Sequence, residues 1–173
     1  HSPGAVPLRE RVDAPVYGMP PPDDGYQDET YAPDRSLCDG DLIQDGETGL
    51  RVLHTPGHAS NHACLLLEAS GLLFTGDHVM DGSTVVIKPP DGDMATYLAS
   101  LEKIRALRLS MLAPAHGHPI EDPKARIDWY LEHRIEREAA IAGALTDAGS
   151  ATIDELVADA ADFGAMQQAA EQI

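Results

Sequence analysis

Residues 50–58 read Leu50-Arg51-Val52-Leu53-His54-Thr55-Pro56-Gly57-His58. The first four alternate in character, as in a half-buried β-strand. Residues 55–57 then end the strand, because proline has no N–H for a β-ladder and glycine allows the backbone to turn sharply. His54 and His58 have the four-residue spacing of the paired histidines on metalloprotease helices, but Pro56 and Gly57 exclude a helix here. His58 therefore leaves the end of a strand through a tight turn.

Two further strands are predicted to end at a side chain of the metal-ligand type. The short apolar runs Ala63–Leu67 and Gly71–Thr75 are predicted to be adjacent antiparallel strands joined at residues 69–71, and Asp77 follows the second run. The segment Leu109–Ala115 again has strand character and runs directly into His116.

His58, Asp77 and His116 are thus each predicted to leave a strand end beside a glycine. Neutral imidazole and carboxylate are suitable zinc ligands, and loops at strand ends are where rigid scaffolds hold such groups. Any one of the three alone would be interpreted as an ordinary polar loop residue. Together they predict three donor groups that converge on one metal site.

Two helices accompany these strands and make the predicted fold class α/β. The first has Asp93 as its N-cap and an apolar stripe at helical spacing, formed by Met94, Tyr97, Leu98, Leu101 and Ile104. The second begins at Asp122-Pro123 and runs to about residue 144. Its inward side chains are predicted to be Ile127, Tyr130, Leu131 and Ile135. His133 is predicted to lie on its solvated, charged face.

The segments outside this pattern carry weaker signals. Ala14–Tyr17 predicts a short strand, and residues 19–41 form a proline-rich acidic stretch that we interpret as a surface insertion or lid. A capping box at Thr152–Glu155 predicts the start of a short helix. The sequence contains no internal repeat.

The composition limits the partners of this protein. The 12 basic and 29 acidic side chains give a net charge of −17, which opposes long-range attraction to nucleic acids and anionic membranes. No apolar run approaches the ~20 residues that cross a bilayer. Cys38 and Cys64 form no C-x-x-C motif, so we expect two buried free thiols in a reduced, cytoplasmic compartment.

The ligand-bearing stretches are Thr55-Pro56-Gly57-His58, Thr75-Gly76-Asp77 and Pro114-Ala115-His116-Gly117. In order and spacing they resemble the third, fourth and fifth metal motifs of the metallo-β-lactamase superfamily, with Ala115 in place of the commoner glycine. The first residues, His1-Ser2-Pro3-Gly4, are similar to the end of that family's second motif, His-x-His-x-Asp-His followed by Ser or Thr and Pro-Gly or Gly-Gly.

The resemblance implies an αββα sandwich and two domains. Residues 1–145 would form the C-terminal half of that sandwich, with the family's N-terminal sheet and the rest of the second motif lying ahead of His1. Residues 150–173 would begin a small helical, winged-helix-like domain. This follows because residues 57–62 and 130–138 are similar to a family branch that carries such a domain and includes RNA-cleaving enzymes and orphan hydrolases.

The resemblance also implies a role for each ligand. His58 would bind a first metal ion, Asp77 would bridge two, and His116 and His1 would bind the second. Two zinc ions are expected in a complete site, with iron or manganese as alternatives. Asp77 is the predicted catalytic residue, because it would fix the separation of the two cations.

The implied function is hydrolysis by a zinc-bound hydroxide, because zinc lowers the pKa of bound water toward ~7. The motifs are shared by enzymes that cleave esters, thioesters, amides and phosphodiesters, so the expected partner is a small-molecule or phosphodiester substrate. Two alternatives remain open at this point. One is a diiron redox member of the same superfamily, and the other is a degenerate member that binds without catalysis.

The remaining polar residues near the motifs have two interpretations each. His54 and His62 are predicted to support the His58 turn. His78 and His118 either orient a ligand or substrate or are exposed loop histidines. Lys88 either meets an anionic substrate or is simply solvated.

Overall fold

The computed structural model describes residues 4–23, 25, 30–148, 150 and 152. In chain order its helices and strands are α1 (Ala5–Arg11), β1 (Tyr17–Gly18), β2 (Arg35–Ser36), β3 (Leu42–Asp45), β4 (Thr48–His54), β5 (Ala63–Leu67), β6 (Leu72–Gly76), α2 (Met94–Arg105), β7 (Met111–Pro114) and α3 (Pro123–Ala148). In this part of the chain, no helix is long and apolar enough to cross a membrane.

Five strands form one mixed sheet in the order β3-β4-β5-β6-β7. Neighbours from β3 to β6 are antiparallel, and β6 and β7 are parallel. The sheet and its helices confirm the predicted α/β class, and β5 and β6 form the predicted antiparallel pair. Apart from this sheet, the described strands form only the short parallel pair of β1 and β2.

The strand directions bring three chain segments to one edge of the sheet. β4 and β6 run the same way because both are antiparallel to β5 between them, and β7 is parallel to β6. The C-terminal ends of β4, β6 and β7, at His54, Gly76 and Pro114, therefore lie at the same edge. We call this edge the ligand edge, because His58, Asp77 and His116 follow these ends.

The described core lies mainly on one face of the sheet, although Val52 of β4 is fully buried on the other. Leu73 of β6 and Leu112 of β7 are opposite each other and fully buried, whereas Phe74, on the other face, is 42% exposed. The buried face of α2 consists of Tyr97, Ser100, Leu101 and Ile104. Asp93 caps this helix as predicted and accepts a hydrogen bond from the Thr96 N–H at 2.7 Å.

Several predictions about individual segments are wrong. The first strand lies at Tyr17–Gly18 and not at Ala14–Tyr17, and the acidic stretch that follows contains its partner β2. The edge strand β3 was not predicted, because Leu42–Asp45 is mostly exposed and has no apolar pattern. Met94 is exposed at the first turn of α2, where little packs against it, and Cys38 is exposed in a loop, unlike the buried Cys64.

Helix α3 begins at the predicted cap, with Asp122 Oδ1 accepting from the Ala125 N–H at 3.0 Å, but its apolar stripe extends beyond its buried part. Burial ends at Leu131, and Ile135 is 61% exposed, against the prediction. Periodicity shows that a helix has an apolar face but not how far a partner surface follows it. His133, predicted to be solvated, is half-buried, and its ring stacks on that of Trp129 with 5.2 Å between the ring centroids.

The predicted domain boundary at about residue 150 remains a prediction. The chain divides into two compact units, residues 1–127 and 128–173, and the seven strands of the described residues all belong to the first. The predicted winged-helix segment lies almost entirely outside the described residues.

Gly57 is expected to tolerate no side chain. Its φ is +134°, and a Cβ there would lie 2.4 Å from the Tyr97 Cα in α2. Gly82 also has a positive φ, +74°, but a Cβ added there would meet no atom within 4 Å. Alanine disfavours the positive φ at both positions, so each variant should lose roughly 1–2 kcal/mol of unfolding free energy. Gly57→Ala should lose about 1–3 kcal/mol more, because its new Cβ would overlap the α2 backbone at Tyr97.

Urea unfolding of the two variants measures this difference. Equal losses of unfolding free energy for Gly57→Ala and Gly82→Ala would contradict the close approach of α2 to the His58 turn.

Candidate metal centre

The ligand edge brings the three predicted donor groups together. The Asp77 carboxylate lies between two imidazoles, with His58 Nε2 3.8 Å from Oδ2 and His116 Nε2 3.2 Å from Oδ1. The Asp77 side chain is only 7% exposed, while both histidines are more open to solvent. His1 lies outside the described residues, so its predicted place beside Asp77 and His116 stays a prediction.

The backbone at this edge turns at three glycines. Gly57, Gly76 and Gly117 each precede or follow one of the three side chains, and their φ angles are +134°, +53° and +89°. These conformations favour glycine over residues with a Cβ. Close neighbours add a second constraint, since a Cβ at Gly117 would lie 2.5 Å from the Asp81 Cβ. The sequence argument that glycines shape the strand-end turns is therefore confirmed.

The two flanking histidines support the His58 turn as predicted. Thr55 and His62 close its base, through a hydrogen bond from the Thr55 N–H to the His62 carbonyl at 2.9 Å and a contact of 2.9 Å between Thr55 Oγ1 and His62 Nδ1. His54 Nε2 donates to the carbonyl of Ser60 at 2.8 Å.

A second segment, residues 85–93, holds the same turn from outside. His58 Nδ1 donates to the Val86 carbonyl at 2.7 Å, and Asp91 Oδ1 accepts from the Ser60 N–H at 3.0 Å. The Asp93 N–H donates to the Gly57 carbonyl at 2.9 Å. Sequence reasoning missed this arrangement, because contacts between residues about 30 positions apart leave no local signal.

The hydrogen bond to Val86 decides which nitrogen of His58 faces Asp77. A carbonyl only accepts, so the proton is on Nδ1, and the neutral ring then directs the lone pair of Nε2 at the carboxylate. In this neutral tautomer two acceptors face each other, and either a proton on Nε2 or a metal ion between them would stabilise the pair. A metal ion satisfies this need, and a hydrogen bond from the second ring nitrogen to a carbonyl is the usual support of a metal-binding histidine.

The distances are consistent with shared metal ions. Two zinc–ligand bonds together span about 4.2 Å, and both imidazole-to-carboxylate distances, 3.8 and 3.2 Å, are shorter. Within the described residues, however, no group of three or more His, Cys, Asp or Glu side chains is arranged to hold a metal ion. Each imidazole and the Asp77 carboxylate are therefore spaced as two ligands of one zinc ion. A complete coordination set needs further ligands in addition to these three residues.

Asp81 connects two of the ligand-bearing loops, a role that the sequence did not reveal. Its carboxylate accepts from Arg126 Nη2 at 2.8 Å and from the His118 N–H at 3.2 Å, and its own N–H donates to the His116 carbonyl at 3.3 Å. The bond from the His118 backbone contributes most to lowering the pKa of Asp81. The His118 ring is 93% exposed and contacts Asp81, so of the two interpretations the exposed loop histidine is the better one.

Two further histidines lie near Asp77, the half-buried His62 and the fully buried His78. Burial lowers the pKa of His62 to about 4 and that of His78 to about 3. The rings lie 5.6 Å apart, and His78 also packs against Tyr97 at 4.8 Å. Both are uncharged at neutral pH, so neither offsets the negative charge of Asp77.

These two histidines predict how stability depends on pH. The unfolded chain takes up their protons near pH 6.5, whereas the folded chain does so only near pH 4 or below. The unfolding free energy of the metal-free protein should therefore fall as the pH drops from 7 to 5, by about 1–2 kcal/mol for each histidine. His62→Gln should be less stable at pH 7 but lose less on acidification.

Urea unfolding at pH 7 and pH 5 checks this expectation. A wild-type protein that keeps its stability at pH 5, or a variant that loses as much as the wild type, would contradict neutral burial of His62.

Comparison with known proteins identifies a family that this chain resembles. The family model for the metallo-beta-lactamase superfamily matches residues 2–116. An atrochrysone carboxyl ACP thioesterase from Aspergillus chevalieri is 34% identical over 143 residues, which cover 79% of this chain and 42% of that protein. The chain thus spans less than half of this relative.

Two solved structures are similar as well. A metallo-beta-lactamase family protein from Thermus thermophilus matches with a TM-score of 0.61 and 28% identity, over 70% of this chain and 45% of that one. The protein TTHA1623, solved in a di-iron-bound form, matches with a TM-score of 0.60 and 27% identity, over 73% of this chain and 70% of that one. From its motifs, its sheet edge and these relatives, this chain belongs to the metallo-beta-lactamase superfamily.

Proposed function

We propose that this chain carries the metal-binding part of a zinc-dependent hydrolase that cleaves thioesters. One observation supports the metal role above the others. The Nε2 lone pair of His58, fixed by the Val86 carbonyl, faces the nearly buried Asp77 carboxylate at 3.8 Å. The thioesterase named above favours a thioester among the four substrate classes that the motifs allow.

The proposal assigns each candidate ligand to one or both of two metal positions. His58 and Asp77 contribute to one metal position, and Asp77, His116 and His1 contribute to the other. When bound, zinc polarises the scissile carbonyl and activates water for attack. Asp77 would be common to both positions, and its nearly buried side chain would limit their movement.

The residues around the ligands restrict their movement. The His58 ring is held by the Val86 carbonyl, and the Asp77 side chain is enclosed at the end of β6. Asp81 and Arg126 hold the loop of His116 against the segment that follows Asp77. Such support limits the reorganisation needed when substrate binds, which is how a rigid site accelerates a reaction.

A phosphodiester substrate is less favoured than a thioester. The net charge of −17 opposes the approach of a polyanion, although a local basic surface would offset it.

A diiron redox protein is the second candidate, because TTHA1623 was solved in a di-iron-bound form. Metal analysis and a visible absorption spectrum of the purified full-length protein separate the two. Zinc and a colourless protein support the hydrolase, whereas two irons and a visible band support the redox alternative. A degenerate binding protein would show neither hydrolysis nor redox turnover.

The hydrolase proposal predicts that Asp77→Asn removes activity while the protein stays folded. The amide cannot bridge two cations, so kcat/KM should fall by at least about 10²-fold. Release of free thiol from an acyl N-acetylcysteamine thioester by the zinc-loaded full-length protein measures this. Asp45→Asn is the matched control, since Asp45 is exposed at the end of β3, opposite the ligand edge.

Circular dichroism establishes that both variants fold. Full activity in a folded Asp77→Asn protein would overturn the proposed mechanism.

A further inference from the structure

Asp81 holds three successive residues of the loop that carries His116. The Asp81 N–H donates to the His116 carbonyl at 3.3 Å, and its Oδ2 accepts from the His118 N–H at 3.2 Å. Between these two bonds, Gly117 packs so tightly that a Cβ there would lie 2.5 Å from the Asp81 Cβ. One residue therefore fixes the loop backbone on both sides of its glycine turn.

Arg126 anchors the other oxygen of this carboxylate to helix α3. Arg126 Nη2 donates to Asp81 Oδ1 at 2.8 Å, and the two side chains are only 22% and 31% exposed. Arg126 lies three residues after the start of α3 at Pro123, where Asp122 caps the helix. A half-buried, charge-assisted hydrogen bond is less screened by solvent than an exposed ion pair. The Asp81 carboxylate is thus held in one orientation toward the loop.

The position of the His116 ring depends strongly on this loop backbone. The His116 side chain is 58% exposed, whereas that of Asp77 is 7% exposed. An exposed imidazole is packed on fewer sides than a buried one, so the backbone has more influence on where Nε2 lies, 3.2 Å from Asp77 Oδ1. Metal ligands have to be held within about 0.5 Å of their working geometry.

We infer that Asp81 and Arg126 form a positioning pair for the metal ion that His116 binds, although neither is one of the candidate ligands. The pair acts through the backbone of residues 116–118 and leaves the turn of His58, which has its own supports, unchanged. The inference rests on the metal-binding part of the proposed function. It goes beyond that function because it predicts that one of the two metal positions can be weakened separately from outside its donor groups.

Zinc titration followed by NMR tests the positioning pair in the full-length protein. The imidazole proton–nitrogen signals of His58 and His116, assigned with His58→Gln and His116→Gln, report zinc at each position and need no substrate. Asp81→Asn and Arg126→Met should each raise the zinc concentration that half-saturates the His116 signal by about 10- to 100-fold, as the loss of a partner of a metal ligand does. The midpoint of the His58 signal should change far less.

Two further variants show whether the charge pair itself is responsible. Arg126→Lys keeps the cation and should restore most of the zinc affinity at His116. Lysine and methionine have similar helix propensities, so a difference between Arg126→Lys and Arg126→Met does not come from the stability of α3. The double variant Asp81→Asn/Arg126→Met should raise the His116 midpoint no further than either single change, because the two residues act as one unit.

Lys103→Met is the matched control. Lys103 of α2 also donates to a loop carboxylate, Asp39 Oδ1 at 2.6 Å, but its second bond is to the His54 carbonyl and not to the loop of His116. The His116 midpoint should therefore stay at its wild-type value. Circular dichroism establishes that the variants fold. An unchanged midpoint in folded Asp81→Asn and Arg126→Met, or an equal shift in Lys103→Met, overturns the inference.

Thiol release measured on the same samples separates this inference from the proposed function. If the His116 midpoint shifts as predicted but no thioester is cleaved, the hydrolase proposal fails and the positioning pair stands. If thioesters are cleaved but Asp81→Asn and Arg126→Met leave the midpoint unchanged, the positioning pair fails and the hydrolase stands. A wild-type His116 signal that zinc does not shift would overturn both.

Discussion

The arrangement at the ligand edge depends on one electrostatic constraint, the placement of the Asp77 carboxylate between two imidazole nitrogens. A carboxylate withdrawn from water costs several kcal/mol unless positive charge or donors compensate it. The neighbouring rings of His62 and His78 do not supply that charge, because desolvation lowers the pKa of both and keeps them neutral at pH 7. A cation between His58 and Asp77 would meet the need of both groups at once.

The fold keeps these groups in place through backbone conformation and strand direction. The parallel pairing of β6 and β7 puts the residues after Gly76 and Pro114 side by side, with the Ala115 N–H donating to the Gly76 carbonyl at 3.0 Å. Helix α2 then approaches so closely that Gly57 has no room for a side chain. Ser100 donates to the Pro56 carbonyl at 2.8 Å, and Tyr97 donates to the His78 carbonyl at the same distance. One helix thus braces the loops of two ligands.

The sequence predicted the parts of this site that have local causes. Strand periodicity, the glycines at positions 57, 76 and 117 and the cap at Asp93 were sufficient to place the three candidate donor residues after strand ends and to locate α2. The prediction was less successful where a distant partner decides the outcome. The hydrogen bonds from residues 85–93 to the His58 turn and those of the Asp81 carboxylate join residues far apart in sequence, so no local sequence pattern predicts them. Ile135 has the spacing of a buried helix face but is exposed.

The central claim is that three strand ends deliver His58, Asp77 and His116 to shared metal ions. Anomalous diffraction at the zinc edge, from crystals of the zinc-loaded full-length protein, tests it most directly. The account predicts zinc peaks within about 2.0–2.2 Å of His58 Nε2, of the Asp77 carboxylate and of His116 Nε2, with Asp77 shared between two peaks. Zinc bound elsewhere, or three side chains directed to different surfaces with no peak between them, would contradict it.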